Sequence, residues 1–561
     1  MRTSTRLKIV AAAVVFACLA APALFGESSA QRRASAPSAA APGSYNVRSF
    51  GARGDGKTVD TPAVNRAIEA AAGAGGGTVY FPAGTYLCFS IRLKSNVGLY
   101  LDHGATILAA DPAKVKGAYD TPEPNQWDMY QDFGHSHWQN SLIWGIGVEN
   151  VSVAGPGRID GEGLTRRSPR PRRPQSAGDT PVSMGGGGAR PESPLGEDDP
   201  HDVMNGLGNK AISLKLSRNV TLKDFTIYRG GHFAILATGV DNLTIDNLKV
   251  DTNRDGFDID ACRNVRISNC SVNTPNDDAI VLKSSYGLGF ARATENVTIT
   301  NCQVTGYDLG TFLDGTFKRT QQLAPDKDGV TGRIKFGTES NGGFKNITIS
   351  NCVFDRSRGL AIETVDGGPI EDIVVTNITM RDVTTAPIFL RLGRRQRGPA
   401  GSPVSVLRRV EISNVVAYDA DPRFASIIAG LPGHPIEDVR LTNIRILYKG
   451  GGTREQAALE PPEKETNYPE PSMFGDLPAY GFFIRHARGV ELSNVTVGFM
   501  REDLRPAFHL EDVRGAVFHA VTAQKIEGVP TFVLKNVEDF TVRQSRPVSD
   551  TRVERTELKR F

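Results

Sequence analysis

Asn219-Val220-Thr221-Leu222-Lys223-Asp224 is one copy of a segment that returns as Asn242-Leu243-Thr244-Ile245-Asp246-Asn247 and as Asn264-Val265-Arg266-Ile267-Ser268-Asn269. Each copy alternates apolar and polar residues, which predicts a short strand with one buried face. The copies begin 23 and then 22 residues apart, a period typical of solenoids. Because no helical periodicity lies between the copies, the pattern predicts an all-β fold, a single-stranded right-handed parallel β-helix.

Further copies of the segment follow at longer intervals, where loops intervene. Most copies end in asparagine, which tolerates left-handed backbone geometry and can hydrogen-bond from coil to coil as a ladder. Those asparagines are Asn247, Asn269, Asn301, Asn351, Asn377, Asn414, Asn443 and Asn494. Three of them are followed by cysteine, at Cys270, Cys302 and Cys352. We interpret these cysteines as a buried stack of small apolar groups and not as ligands.

The chain divides into unequal parts. Residues 1–30 combine basic residues, an apolar run and a small-residue cleavage site, which predicts a signal peptide and a secreted or periplasmic protein. An uncleaved membrane anchor and a cell-surface lipoprotein attached through Cys18 are the alternatives. We expect a linker at 31–44, the β-helix at 45–545 with a disordered insertion at 163–200, and a tail at 546–561.

An N-terminal helix is predicted to cover the first coil. Thr61 has the character of a helix cap and Pro62 that of a first-turn residue. The apolar face of this helix would consist of Val64, Ala67, Ile68 and Ala71. Such a helix would protect the open end of a solenoid, where strand edges are exposed.

Composition narrows the classes of function. The formal net charge is only +3 over 561 residues, which gives no support for binding to nucleic acid or, after signal removal, to a membrane surface. The cysteines show no paired spacing and no CxxC, so neither a disulfide framework nor a metal site is expected. We expect a monomer without a cofactor.

Three aspartates stand at matching places on two consecutive coils. Asp255 precedes Asp277 by 22 residues, one turn of the solenoid, and Asp278 follows directly. Since neighbouring strands lie about 4.8 Å apart, the three carboxylates should converge within roughly 5–10 Å. Crowded carboxylates favour one protonated and one ionised group, which suits glycoside hydrolysis. A calcium site, or aspartates that only cap turns, remains the alternative.

The chain resembles glycoside hydrolase family 28, the polygalacturonase and rhamnogalacturonan hydrolase family. The resemblance is carried by Tyr45 to Ala52, Gly54-Asp55-Gly56, Phe81 to Tyr86, Asn253 to Asp258, Asn276-Asp277-Asp278 and Lys283-Ser284. It implies a pectin lyase-like solenoid that acts on a pectic oligo- or polysaccharide with inversion. It also implies that Asp277 is the general acid and that Asp255 and Asp278 hold the attacking water.

Two motifs of that family are altered according to our interpretation of the sequence. The Gly-His-Gly segment is not evident, although Gly306-Tyr307-Asp308 or Gly332-Arg333 stands near its place. The Arg-Ile-Lys triplet is assigned to Ala361-Ile362-Glu363, where Glu363 would repel an anionic sugar. Either other cations bind the carboxylate, or the bound unit is neutral, such as rhamnose. The cations considered are Arg254, Arg333, Lys335 and Arg391.

Further residues are predicted to line the site. His232 lies one coil before Asp255 and either replaces the missing histidine or packs against Phe233. Lys283 accompanies the aspartate pair, and Glu339 and Glu363 lie on later coils. The segment from Tyr468 to Phe474 interrupts the coils and is predicted to wall the cleft. A polysaccharide lyase and a non-catalytic carbohydrate-binding β-helix are the competing functions.

Overall fold

The computed structural model describes residues 43–167, 200–320 and 329–561, all within one compact unit that spans Pro42–Phe561. The predicted signal peptide, nearly all of the linker and most of the insertion at 163–200 lie outside the described residues. Within the described ranges, no helix is long and apolar enough to cross a membrane.

Short strands succeed one another along the whole described chain. The first coils contain β1 (Ser44–Asn46), β2 (Asp55–Val59), β3 (Gly77–Phe81), β4 (Gly84–Cys88), β5 (Ile91–Arg92), β6 (Val97–Leu101), β7 (Ala105–Ala109), β8 (Ile143–Ile146), β9 (Glu149–Ala154) and β10 (Arg158–Asp160). The central coils contain β11 (Lys210–Lys215), β12 (Arg218–Lys223), β13 (Thr226–Tyr228), β14 (Phe233–Thr238), β15 (Asp241–Asp246), β16 (Lys249–Asp251), β17 (Asp255–Asp260), β18 (Arg263–Ser268), β19 (Ser271–Asn273), β20 (Ile280–Ser284), β21 (Thr294–Thr300), β22 (Gln303–Thr305) and β23 (Ile334–Ser340).

Longer strands follow in the last coils. They are β24 (Phe344–Ser357), β25 (Leu360–Thr364), β26 (Pro369–Val383), β27 (Ile388–Leu392), β28 (Val406–Ala420), β29 (Ser426–Ala429), β30 (Ile436–Gly450), β31 (Phe482–Arg501), β32 (Phe508–His519), β33 (Thr522–Ala523), β34 (Phe532–Arg543) and β35 (Thr551–Arg560). Two α-helices, α1 (Thr61–Gly73) and α2 (Pro200–Met204), and five short 3-10 helices accompany them. The 3-10 helices are Val47–Phe50, Asp128–Tyr130, Phe133–His135, Gln456–Ala458 and Pro471–Phe474.

Strands stack in register on the corresponding strands of the next coil, and every named pairing before β35 is parallel. The strands form three columns, as a right-handed parallel β-helix requires, and the predicted fold is confirmed. One column, here called the site sheet, runs through β5, β8, β11, β14, β17, β20, β23, β25, β27, β29 and the start of β31. Its inward residues, among them Ile235, Phe257 and Ile280, belong to the continuous apolar core.

Asparagines form ladders at both ends of the repeated segment. At the closing position Asn443 donates to Asn414 at 3.0 Å and accepts from Asn494 at 2.8 Å, as the sequence predicts. The opening position carries a second ladder that the sequence interpretation missed, in which Asn242 donates to Asn219 at 3.0 Å. All these asparagines have φ between +52° and +58°. Side chains that tolerate left-handed geometry therefore turn the chain at each corner.

The cysteine stack is buried as predicted. Cys270, Cys302 and Cys352 are free thiols with 1% exposure or less. Each thiol donates to the carbonyl two residues earlier, at 3.1–3.3 Å. Burial raises the pKa of Cys262, on a neighbouring corner, to about 12, so thiolate chemistry is suppressed in this part of the core.

Both ends of the solenoid are covered. Helix α1 buries Val64, Ala67, Ile68 and Ala71, the predicted apolar face. Its N-cap is Asp60, one residue before the predicted cap Thr61, whose hydroxyl instead accepts from the Phe89 N–H at 2.7 Å. At the other end, residues predicted as a tail differ from that expectation. β35 pairs antiparallel with β34 over most of its length, because Val553 and Phe561 can pack on the last coil.

We predict that the closing ladder stabilises the fold chiefly through backbone geometry. Asn443→Ala should lower the free energy of unfolding by about 2 kcal/mol, since alanine is strained at φ +57° and both ladder bonds are lost. Asn443→Gly loses the same hydrogen bonds without the strain and should cost less. Urea denaturation followed by circular dichroism compares the variants. An equal loss in both would show that the left-handed geometry contributes nothing.

Candidate active site

The three predicted aspartates meet on the outward side of the site sheet. Asp255 opens β17, and Asp277 and Asp278 lie in the turn before β20, the next strand of that sheet. Each residue places a carboxylate oxygen within 4.8 Å of the other two. The sequence predicted 5–10 Å, so the carboxylates are even closer than expected. The side chain of Asp277 is 13% exposed and is the most exposed of the three.

The backbone around the trio is held by specific hydrogen bonds. Asp277 O accepts from the Thr274 hydroxyl at 2.8 Å and from the Gly332 N–H at 3.0 Å. The N–H of Asp278 donates to Asp255 Oδ1 at 3.1 Å, which ties the two coils together. A Cβ on Gly256 would lie 2.3 Å from the Ala279 carbonyl oxygen. Glycine is therefore required for the coils to approach closely enough to bring the carboxylates together.

Basic side chains face two of the three carboxylates directly. Arg254 Nε lies 3.2 Å from Asp277, and Arg333 Nε donates to Asp278 at 2.7 Å. The negative charge of Asp255 is compensated less by neighbouring basic side chains. Its burial, together with the charges of Asp258 and the other two aspartates, raises the pKa of Asp255 well above its ordinary value.

The assignment of the Arg-Ile-Lys triplet to Ala361-Ile362-Glu363 is wrong. The triplet is present unaltered as Arg333-Ile334-Lys335, on β23, directly beside β20. Lys335 Nζ lies 3.6 Å from Asp278. Ala361 pairs with Lys335 and therefore lies one coil further from the aspartates. The unaltered triplet at residues 333–335 could have been found in the sequence, but the motif was assigned to the following coil.

Glu363 and Arg391 lie beyond the triplet. Glu363 is fully buried at 3.5 Å from Lys335, and burial raises the pKa of Glu363 to about 8 against the opposing effect of Lys335. The Arg391 guanidinium donates to carbonyl oxygens of Gly430, at 2.9 Å, and Glu463, at 3.1 Å. Burial lowers the pKa of Arg391 to about 10. These contacts give Arg391 a role in holding loops.

Lys283 and Glu339 form a second charged group beside the trio. Lys283 lies 3.2 Å from Asp258 and 3.3 Å from Glu339. Burial acts to raise the pKa of Glu339, but Lys283 and other cations hold it well below its ordinary value. Sequence reasoning missed His135, whose Nε2 lies 3.3 Å from Asp258. His135 comes from an irregular segment, and only its residue type could have suggested it.

His232 packs against Phe233, which is one of the two interpretations left open for it. Its ring packs edge-on against Phe233, with centroids 4.4 Å apart, and its Nδ1 lies 2.8 Å from Arg166 O. Phe233, one residue later, is the register partner of Asp255. Burial and the neighbouring Arg254 hold the pKa of His232 well below its ordinary value. The imidazole at the edge of the site is therefore held neutral.

Two loops cover the outward side of the site sheet. The early loop, residues 110–142, contributes His135, and the late loop, residues 451–481, contributes Tyr468 and Glu470. Glu470 binds Arg333 through two hydrogen bonds of 2.6 and 3.1 Å. The predicted contact of the Tyr468–Phe474 segment with the site is thus present. Beneath the loops, Asp255 and Asp278 are each only 5% exposed.

Two groups of described residues have ligand atoms close enough to hold a cation. They are the aspartate trio and the set His135, Asp255 and Asp258. Arg254, Lys283 and Arg333 already lie beside carboxylates of these groups. Protein cations therefore supply the charge that a metal ion would bring, and they oppose binding of a further cation.

Known families and proteins are similar to this chain in sequence and fold. Residues 44–136 match the family model of rhamnogalacturonase A/epimerase, pectate lyase-like, and residues 202–318 match that of the right-handed β-helix region. A probable polygalacturonase of Vitis vinifera is 23% identical, over 72% of this chain and 74% of its own. An exo-poly-α-D-galacturonosidase of Dickeya chrysanthemi is 26% identical, over 63% and 58%. The family 28 exopolygalacturonase structure of Yersinia enterocolitica superposes with a TM-score of 0.59 at 19% identity, over 85% and 78%.

The parallel β-helix and the relatives named as polygalacturonases identify a β-helix glycoside hydrolase. Within that class, the chain is similar to polygalacturonases at 23–26% identity and, in fold, to a family 28 exopolygalacturonase.

We predict that Asp255 lowers the stability of the fold at neutral pH. An acid whose pKa is raised by folding binds its proton more tightly in the native state, so stability falls as pH rises from about 4 through the folded pKa and stays lowered above it. Asp255→Asn should therefore raise the free energy of unfolding at pH 7 by ~1 kcal/mol or more, and by little at pH 3. Urea denaturation at both pH values measures this difference.

The control is Asp438→Asn, at a side chain that is 57% exposed. It should leave the free energy of unfolding unchanged at either pH. A destabilised Asp255→Asn at pH 7 would contradict the electrostatic account of the trio.

Proposed function

We propose that the protein hydrolyses glycosidic bonds in a pectic oligo- or polysaccharide, with Asp277 as general acid and with Asp255 and Asp278 holding the attacking water. The observation that carries this proposal is the convergence of the three carboxylates within 4.8 Å beside the loops of the site sheet. The pectic substrate is supported by the names of the relatives from Vitis vinifera and Dickeya chrysanthemi.

The environment of each aspartate supports its role. The Asp277 side chain is 13% exposed, against 7% for Asp278, so Asp277 is better placed to reach a glycosidic oxygen. Arg254 Nε lies 3.2 Å from Asp277 and would stabilise the carboxylate that remains after proton transfer. Asp255 has a raised pKa and is therefore a stronger base towards water. Arg333 holds Asp278 in place.

Inversion at the anomeric carbon is part of this proposal. Carboxylates about 5 Å apart usually favour a covalent intermediate, whereas inverting pairs are usually 6.5–9.5 Å apart. Here Asp278 accepts from Arg333, and Asp255 accepts from the Asp278 N–H. One oxygen of each carboxylate is thus held in a positioning contact, and we propose that the second oxygen of each binds the shared water.

Action from the chain end is also proposed. The early loop contacts Asp258 and the late loop contacts Arg333, and Asp255 and Asp278 beside them are each 5% exposed. A long polysaccharide needs an open groove, whereas an end unit can enter a closed pocket. We propose further that the protein acts as a monomer outside the cytoplasm, supported by the signal-like composition of residues 1–30.

Asp277→Asn should lower kcat by about 10²- to 10⁴-fold, because asparagine cannot donate the proton to the leaving oxygen. The assay is release of reducing ends from a panel of pectic fragments, and Asp438→Asn serves as the surface control. Unchanged turnover in Asp277→Asn would overturn the assigned mechanism. Cleavage that yields an ultraviolet-absorbing unsaturated product and stops on chelation would instead establish a lyase. Binding of the fragments without cleavage would establish a carbohydrate-binding protein.

Product analysis tests both inversion and end-wise action. Proton NMR of the first product should show the anomer opposite to that of the substrate, and a retained anomer would exclude the shared-water mechanism. Solution viscosity should fall slowly while reducing ends accumulate. A rapid fall in viscosity would show cleavage within the polymer.

A further inference from the structure

Arg333 lies at the site with its guanidinium already occupied. Its Nε donates to Asp278, and its two terminal nitrogens donate to the two oxygens of Glu470. The Arg333 side chain is 1% exposed and that of Glu470 is 6% exposed. This paired geometry between a guanidinium and a carboxylate is the geometry by which arginine binds a ligand carboxylate. In this protein the carboxylate comes from the late loop.

Lys335 is covered by the same loop. Its Nζ donates to the Tyr468 hydroxyl at 3.1 Å and lies 5.0 Å from the centre of the Tyr468 ring. Glu363 lies 3.5 Å from Lys335, on the next coil. Burial acts to lower the pKa of Lys335, but the neighbouring carboxylates raise it above its ordinary value. The ammonium group is thus charged and surrounded by protein groups.

Glu470 is held as an anion. Burial acts to raise its pKa, but Arg333 and Arg358 lower the pKa of Glu470 to about 2. Arg358 Nη1 contributes from 3.4 Å. A uronate carboxylate that bound Arg333 would have to displace Glu470, and this buried anion would then lose its two hydrogen bonds to Arg333 and keep only Arg358. Such a loss is strongly unfavourable.

We propose that Glu470 determines specificity by making the subsite beside Arg333 and Lys335 select an uncharged glycosyl unit over a uronate. The uncharged unit has two sources, a neutral sugar and a methyl-esterified uronate. This inference rests on the proposed hydrolase function and narrows its substrate class. It does not depend on an altered triplet, because Arg333-Ile334-Lys335 is intact.

Three groups of substrates test whether the subsite takes a free uronate, a methyl-esterified uronate or a neutral sugar. They are oligogalacturonates, the same oligogalacturonates fully methyl-esterified, and rhamnogalacturonan oligosaccharides with a terminal rhamnose. The wild-type kcat/KM should be at least about tenfold higher for one of the uncharged substrates than for the free oligogalacturonate. Comparison of the esterified and rhamnose-terminated substrates identifies which source of the uncharged unit is used.

Glu470→Gln removes the charge and keeps the shape of the side chain. Arg333 then loses its anionic partner in the late loop, so kcat/KM for oligogalacturonate should rise about tenfold while that for uncharged substrates changes little. The matched control is Glu455→Gln, at an exposed glutamate of the same loop, which should change neither value. Thermal unfolding verifies that each variant folds, and the wild-type ratio tests the proposal without any variant.

The outcomes are distinct. Wild-type preference for free oligogalacturonate overturns the role of Glu470 but leaves the hydrolase function intact. A folded Glu470→Gln that loses activity equally on all substrates shows only a structural role and also overturns the inference. If the wild type cleaves no substrate of any kind, the proposed function itself fails.

Discussion

In-register stacking of one coil on the next is the constraint on which the rest of the structure depends. It makes residues that are some 22 positions apart in the chain into immediate neighbours, as in the pairing of Phe257 with Ile280. The same spacing that packs the apolar core on the inside places charged side chains against each other on the outside. A solenoid therefore brings together residues of consecutive coils, such as the three aspartates, from sequence that is nearly local.

Such an arrangement brings many charged side chains close together. Acidic and basic side chains alternate across the outward side of the site sheet, from Asp258 and Lys283 to Asp278 and Arg333. Each buried ion is compensated by neighbours, because an isolated one could not remain charged in that environment. Asp255 has the least compensation, and this deficit gives it the basicity that the proposed chemistry requires. At Asp255, the proposed chemistry thus has higher basicity together with lower stability of the fold.

Features that repeat from coil to coil could be predicted from the sequence, whereas features that occur once could not. Alternating apolar residues and asparagines at fixed places revealed the coil, and the coil period then brought Asp255 to Asp277. His135 has no such period, because it belongs to a loop that reaches the site through a contact distant in the chain. The misplaced Arg-Ile-Lys triplet has a different cause. The loop before β23 lengthens the coil, so counting by coil period alone could not identify which strand lies next to the aspartates.

β35 has a consequence for how these molecules meet each other. Parallel coils end in unpaired backbone groups to which another copy could add, as happens in fibrils. The antiparallel β35 occupies that edge and presents in its place a strand rich in charge, with Arg552, Glu554, Arg555, Glu557, Lys559 and Arg560. Repulsion and hydration of these side chains disfavour end-to-end polymerisation, so a rod built from repeating units can remain dispersed at high concentration.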